Sequence, residues 1–233
     1  QLHAKQKLKS YYGNINERRH QLHEVIRLSG MNLVVNDMDM PLIIKVASIP
    51  KERIQVYFID NDEYFKRKAT FSDEEGTLFP DNDERAIFLA KGVVETVKKL
   101  NWVPDIIHVH GWMASLLPVY MKHYYKNEAL FADTKIVTSV YNQSFDGALN
   151  EDMLKKVAFD DIAEEDIKLL AEPNYENIMK TAIAHSDGVI VSSENLSADL
   201  LKSVEESGKP FLPYVAKDKF AEAYTNFYKS EVL

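Results

Sequence analysis

Three short runs rich in β-branched residues constrain this chain most: Ile106-Ile107-His108-Val109, Lys135-Ile136-Val137-Thr138-Ser139-Val140 and Gly188-Val189-Ile190-Val191. None alternates polar with apolar as a half-solvated strand does, so each reads as a strand buried on both faces. Helix-length segments separate them, and strands alternating with helices imply a parallel sheet covered on both faces. The expected fold class is therefore α/β, with a mostly parallel sheet between helices.

The other elements follow from local signals. Asp83 to Leu100 predicts the best helix, with Ile87, Ala90, Val94 and Val97 on one face, acidic residues at its start and Lys98-Lys99 at its end. Helices are also expected over 112–126, 150–171, 175–185, 195–207 (capped by Ser192-Ser193-Glu194) and 218–230, with a short strand at 211–214. Nearer the N-terminus, Leu42 to Ala47 and Ile54 to Ile59 read as a β-hairpin turning at Pro50-Lys51-Glu52-Arg53. Leu22 to Val35 fits either a helix started by Asn14 with Glu17 or a further pair of strands, and Lys66 to Asp83 reads as a polar loop. No interior linker or repeat interrupts residues 1–233, which are taken as one domain.

Composition excludes several functions. A net charge of -8 without a clustered basic run argues against nucleic acid or an anionic membrane surface as partner. No cysteine is present, which removes disulfides, thiolate metal sites and cysteine nucleophiles and suits the cytoplasm. No apolar run reaches the ~20 residues of a membrane helix. The start at Gln1 is that expected of a processed or partial product. Dinucleotide, P-loop and nucleophile-elbow glycine motifs do not occur.

The junction at Pro104 to Pro118 is the candidate site, because open α/β sheets bind ligands at the carboxyl ends of their strands. His108 and His110 project to one face of a strand; without a third ligand at a fixed offset they suit hydrogen bonding to a sugar or phosphate better than a metal. Gly111 permits a tight turn or close approach of a ligand. Trp112 suits either stacking on a sugar ring or packing into the sheet. Tyr141 and Asn142, followed by Gln143 and Ser144, form the next carboxyl-end loop. The acidic stretch Glu151 to Glu172 reads as a solvated helix face. Phe220, Tyr224, Phe227 and Tyr228 form an aromatic stripe suited to the core or a subunit contact.

Three stretches together resemble the N-terminal catalytic domain of the bacterial glycogen synthase and plant starch synthase family: Val56 to Arg67, Pro80 to Trp112, and Ser186 to Ser193. In detail the similarity is to the family's short, single-domain members from Bacteroides-type bacteria. The resemblance implies a Rossmann-like lobe of a GT-B glycosyltransferase, facing an α-glucan acceptor, with ADP-glucose as donor and no cofactor or metal. Against the family pattern, the Lys-x-Gly-Gly-Leu loop is missing and the first strand has no counterpart before Tyr12. Gly111 replaces the aspartate of a His-Asp-Trp triplet, and Tyr141 replaces a histidine before Asn142. With room for one lobe only, the chain is expected to need a partner supplying the donor lobe, or to act as a non-catalytic glucan-binding or regulatory module. A homo-oligomer, or a different nucleotide sugar, is compatible with the same residues. The substrate-binding candidates are His108, His110, Gly111, Trp112, Tyr141 and Asn142; none is assigned as catalytic.

Overall fold

The computed structural model describes residues 26–49 and 54–233, together with the backbone of His3–Ala4. Five parallel strands form the main sheet in the order β1 (His3–Ala4), β5 (Ile106–His110), β6 (Lys135–Val140), β7 (Gly188–Val191) and β8 (Phe211–Leu212). The three runs rich in β-branched residues are its centre. β1 corrects the expectation that nothing before Tyr12 stands in for a first strand: His3 pairs with His108 and Ala4 with Val109. Two residues are too few to leave a periodic signal.

A second, antiparallel sheet holds β2 (Ile26–Val35), β3 (Met38–Ile49) and β4 (Ile54–Asp60). The hairpin expected from residues 42–59 is thus two strands of three, its turn at 50–53 lying outside the described residues. The ambiguity at Leu22 to Val35 resolves to strand from Ile26 onward, and Leu22 to Val25 fall outside the described residues. The deciding feature is Asn36-Asp37, a two-residue turn with Asn36 at φ 55°, which pairs Val35 with Met38. Such turns need the left-handed conformation that asparagine tolerates.

Helix α2 (Asn82–Lys99) follows the short α1 (Asp62–Phe65) and packs against β2 and β4 of the antiparallel sheet. Ile87, Ala90, Val94 and Val97 are buried as the periodicity requires, but so are Ala86, Phe88 and Val93 on other faces. Gly92 permits this intimacy: a Cβ there would stand 2.7 Å from Ile59 Cγ2. Lys91, from the same helix, donates to Asp160 Oδ1 at 2.6 Å and to the Val34 carbonyl at 2.7 Å. Tyr120 donates to the other oxygen of Asp160. The solvated reading of the acidic stretch therefore fails at Asp160, which is buried against α2.

Several helices are shorter than the sequence implies. Residues 112–126 become one 3-10 turn (Trp112–Ala114) followed by α3 (Leu117–Lys122). Residues 150–171 divide into α4 (Met153–Ala158) and a 3-10 segment (Glu164–Ala171), broken where Asp161 takes φ 57°. α5 (Tyr175–Ala184) precedes β7. α6 (Ala198–Glu206) starts later than expected, capped by Ser197 rather than by Ser192-Ser193-Glu194. Ser192 and Ser193 are bonded elsewhere.

The two faces of the main sheet are covered unequally. Val109, Ile136, Val140, Val189 and Val191 point into the large core shared with α2, α3 and α5. On the opposite face Val137 and Ile190 pack against Phe227 and Val232, from α7 (Phe220–Phe227) and the turn 228–232. Gly188 clears the way, since a Cβ there would lie 3.1 Å from Val232 and 3.3 Å from Phe227. The aromatic stripe is thus divided: Phe227 is core, Phe220 is exposed, and the two tyrosines turn toward the strand ends.

Candidate functional site

The strand pleat carries His108, His110, Ser139 and Ser192 on the face that α7 covers, at the carboxyl ends of three adjacent strands. There they form a continuous network. His108 Nε2 lies 2.7 Å from the Ser139 hydroxyl and its Nδ1 lies 2.6 Å from the Tyr228 hydroxyl. Ser192 donates to Ser139 at 2.9 Å and lies 3.2 Å from the Tyr224 hydroxyl. His110 Nδ1 is 2.7 Å from the Tyr141 hydroxyl, and the two imidazoles sit with centroids 3.9 Å apart. Ser139 accepts from Ser192, so both ring nitrogens of His108 are held by hydroxyls, with donor and acceptor set by the tautomer.

Burial raises the Tyr228 phenol well above its ordinary value, with Tyr224 and Tyr141 adding to the effect. Tyr141 is raised for the same first reason, then by Tyr224. Both stay protonated and serve as hydrogen-bonding groups, not as bases. Among the described residues no set of three His, Cys, Asp or Glu is placed to hold a metal. The network orients these groups at the strand ends.

Gly111 takes φ 77° and ψ 162° between β5 and the turn at Trp112. That left-handed backbone swings the chain away from the histidine network and drives Trp112 to the other side of the junction. The indole is only 3 % exposed. It is held between Phe71, at 4.7 Å, and Phe145, at 5.1 Å edge-on, while Phe145 meets Tyr175 at 5.9 Å. Tyr175 in turn donates its hydroxyl to the Tyr141 carbonyl, tying this aromatic stack to the loop after β6. Asn142 is exposed and donates its backbone N–H to Ser193 Oγ at 2.9 Å.

A cleft of about 630 Å³ opens over this stack. One wall is a small hairpin, Phe71 to Phe79, closed by an Asp73 side chain that accepts from Thr77 N–H at 2.7 Å. The facing wall is Gln143 to Asp146. Of the six sequence candidates, only Trp112 lines the cleft; His108, His110 and Tyr141 belong to the hydroxyl network, Gly111 is the pivot between the two, and Asn142 bridges to Ser193. Sequence reasoning missed Thr70, Phe71, Ser72, Gly76, Leu78, Phe145 and Asp146. The turn Asp73-Glu74-Glu75-Gly76 and the sequence Phe145-Asp146-Gly147 carried a loop signal, but nothing local says that they face each other. Aromatic, hydroxyl and amide groups dominate the lining, and Asp146 is the one ionisable residue among the described lining residues.

Residues 6–209 match the starch synthase catalytic domain family. The chain belongs to that family. Starch synthase catalytic domain relatives include a glycogen synthase of Chlorobium limicola, 36% identical over 189 residues, which cover 81% of this chain and 38% of the relative. A glycogen synthase of Chlorobaculum tepidum is 36% identical over 197 residues, covering 84% and 40%. Among solved structures, the catalytic domain of starch synthase IV from Arabidopsis thaliana, bound to ADP and acarbose, matches with a TM-score of 0.67 at 16% identity, over 85% of this chain and 42% of that one. The fold is accordingly that of a lobe of a GT-B starch synthase catalytic domain. The chain spans about two fifths of the length of these relatives.

Proposed function

We propose that this chain binds an α-glucan in the cleft over Trp112 and serves as the acceptor-side lobe in glucosyl transfer from ADP-glucose. The observation that carries the reading is the chemistry of the lining. Phe71 and Phe145 offer apolar faces suited to the C–H side of a sugar ring, while Thr70, Ser72, Gln143 and Ser144 offer neutral donors and acceptors for hydroxyls. A diphosphate needs cations or a ring of N–H donors. The described lining contributes a carboxylate instead, so the cleft suits a neutral glucan better than the nucleotide sugar.

Family membership supports glucosyl transfer as the reaction to which the lobe contributes. On this reading residues 1–233 act as a single Rossmann-like lobe that needs no cofactor or metal, in the cytoplasm beside glycogen, with the donor held outside this cleft. His108, His110 and Tyr141 then act from behind the cleft, fixing the strand ends and the loop that forms its wall, with Gly111 and Asn142 setting the course of the backbone. The six sequence candidates are thus retained as a support shell in which Trp112 alone meets the ligand.

Isothermal titration with maltoheptaose and with ADP-glucose tests the reading, alongside glucose incorporation into glycogen with and without cell extract. Saturable maltoheptaose binding, with far weaker ADP-glucose binding and turnover only when extract is added, is the expected result. Failure to bind maltoheptaose or glycogen would remove the proposal. Turnover by the purified chain alone would show instead that the donor site is complete within it.

A further inference from the structure

Arg85 stands out among the buried charges. It is 1 % exposed, and among the described residues it is in no ion pair. Its guanidinium donates through Nη1 to Asn82 Oδ1 at 2.5 Å and through Nη2 to the Thr70 carbonyl at 2.8 Å, while Nε has no hydrogen-bond partner. The rings of Phe65 and Phe79 lie 5.5 Å and 5.6 Å from its Cζ. Burial, and then the nearby Arg67 cation, pulls it down to about 10, still protonated at neutral pH.

A cation buried among neutral partners costs stability that an apolar side chain of similar volume would not. What the guanidinium adds is direction. Asn82, one turn earlier in α2 and also buried, donates its side-chain amide to the Phe71 carbonyl at 2.8 Å. The first turn of α2 therefore grips two consecutive carbonyls, Thr70 and Phe71, and both of those residues line the cleft while Asn82 and Arg85 do not. Phe71 is also the residue whose ring rests on Trp112.

We propose that Arg85, acting with Asn82, is a positioning residue that sets the width of the cleft by clamping the Thr70–Phe71 wall against Trp112. The inference rests on the reading of the cleft as a glucan site. Arg85→Lys keeps the charge but loses the fork, so it cannot hold Asn82 and Thr70 at once. Loss of one charge-assisted hydrogen bond to the wall corresponds to roughly tenfold in affinity.

The test places Arg85→Lys in a Trp102→Phe background, where Trp112 is the single tryptophan and is excited selectively at the red edge of its absorption. Maltoheptaose affinity, Trp112 emission and thermal midpoint are measured together. Val97→Ala, a core truncation farther along the same helix, serves as the control for lost stability alone. The expected result is a roughly tenfold weaker affinity and a shifted Trp112 emission in Arg85→Lys, with both unchanged in Val97→Ala. Should Arg85→Lys not fold, Asn82→Asp carries the same expectation. It keeps an acceptor for Arg85 but turns an oxygen toward the Phe71 carbonyl. A parent chain that does not bind maltoheptaose overturns the reading of the cleft and this inference with it. A parent that binds, with an Arg85→Lys or Asn82→Asp variant of equal affinity and emission, overturns the inference alone.

Discussion

Trp112 shows how one indole can fill a core and floor a cleft at once. Because Phe71 and Phe145 hold its ring and leave it almost no exposed area, truncation empties part of the core as well as the cleft floor. Trp112→Ala should lower unfolding free energy by about 3–5 kcal/mol in urea titrations, and maltoheptaose binding should go with it. Phe145→Ala, at a half-buried position, is the cleaner probe of binding: affinity should fall while most of the stability is retained. Lys91 and Asp160 make a second case. Lys91→Met leaves a carboxylate buried with only Tyr120 and should cost about 3–5 kcal/mol, whereas the double change Lys91→Met with Asp160→Leu should recover much of it. A double-mutant cycle by chemical denaturation reads both.

His185 provides the pH dependence at this scale. Burial holds it below its ordinary value, against the opposing pull of its hydrogen bond to the Thr181 carbonyl, with the neighbouring His123 adding to the lowering. The unfolded chain therefore binds the proton more readily than the folded one, and stability is present above the ordinary histidine value and is lost as pH falls through the folded one. Urea midpoints should drop between pH 7.5 and pH 5, about the range where histidine titrates. In His185→Phe the drop should be smaller; an identical drop would place the acid sensitivity elsewhere.

Among the elements, α2 was the most legible, because its apolar spacing and terminal charges agree. Its burial on further faces was not legible, since nothing local announces that a second sheet lies across it. Gly92 is the residue that records this contact. Gly92→Val should destabilise the chain by about 1–3 kcal/mol, despite valine's better helix propensity, because Ile59 occupies the space. The strands of the main sheet could be read as continuous apolar runs. β2 could not be distinguished from a helix by its apolar residues alone, and Asn36-Asp37 was the overlooked signal. The cap of α6 was misplaced by five residues or fewer for a related reason: Ser192, Ser193 and Ser197 are chemically equivalent in sequence, and tertiary bonds claim the first two. Part of the site was visible as the Gly111 turn and the His108-x-His110 face. The cleft itself was not, because residues 70–78 and 143–146 meet only through the fold.

For the whole molecule, the second face of the main sheet depends on the last turns of the chain. Ending the protein after Pro213 would uncover Val137 and Ile190 and leave His108 without Tyr228. Such a truncation should bind a hydrophobic dye and lose cooperative unfolding, with amide exchange accelerating first in β6 and β7. Calorimetry and hydrogen exchange on the shortened chain measure this directly. The unequal covering also brings the chain's own tyrosines onto the histidine network at the strand ends, while the cleft opens past Gly111.

The hairpin that walls the cleft has a consequence for how such a lobe can diversify. Its tip, Asp73 to Gly76, projects from anchors at its base and adds nothing to the cores on either side of the sheet. Lengthening or shortening that tip would re-gauge the cleft while the load of folding stays on other residues.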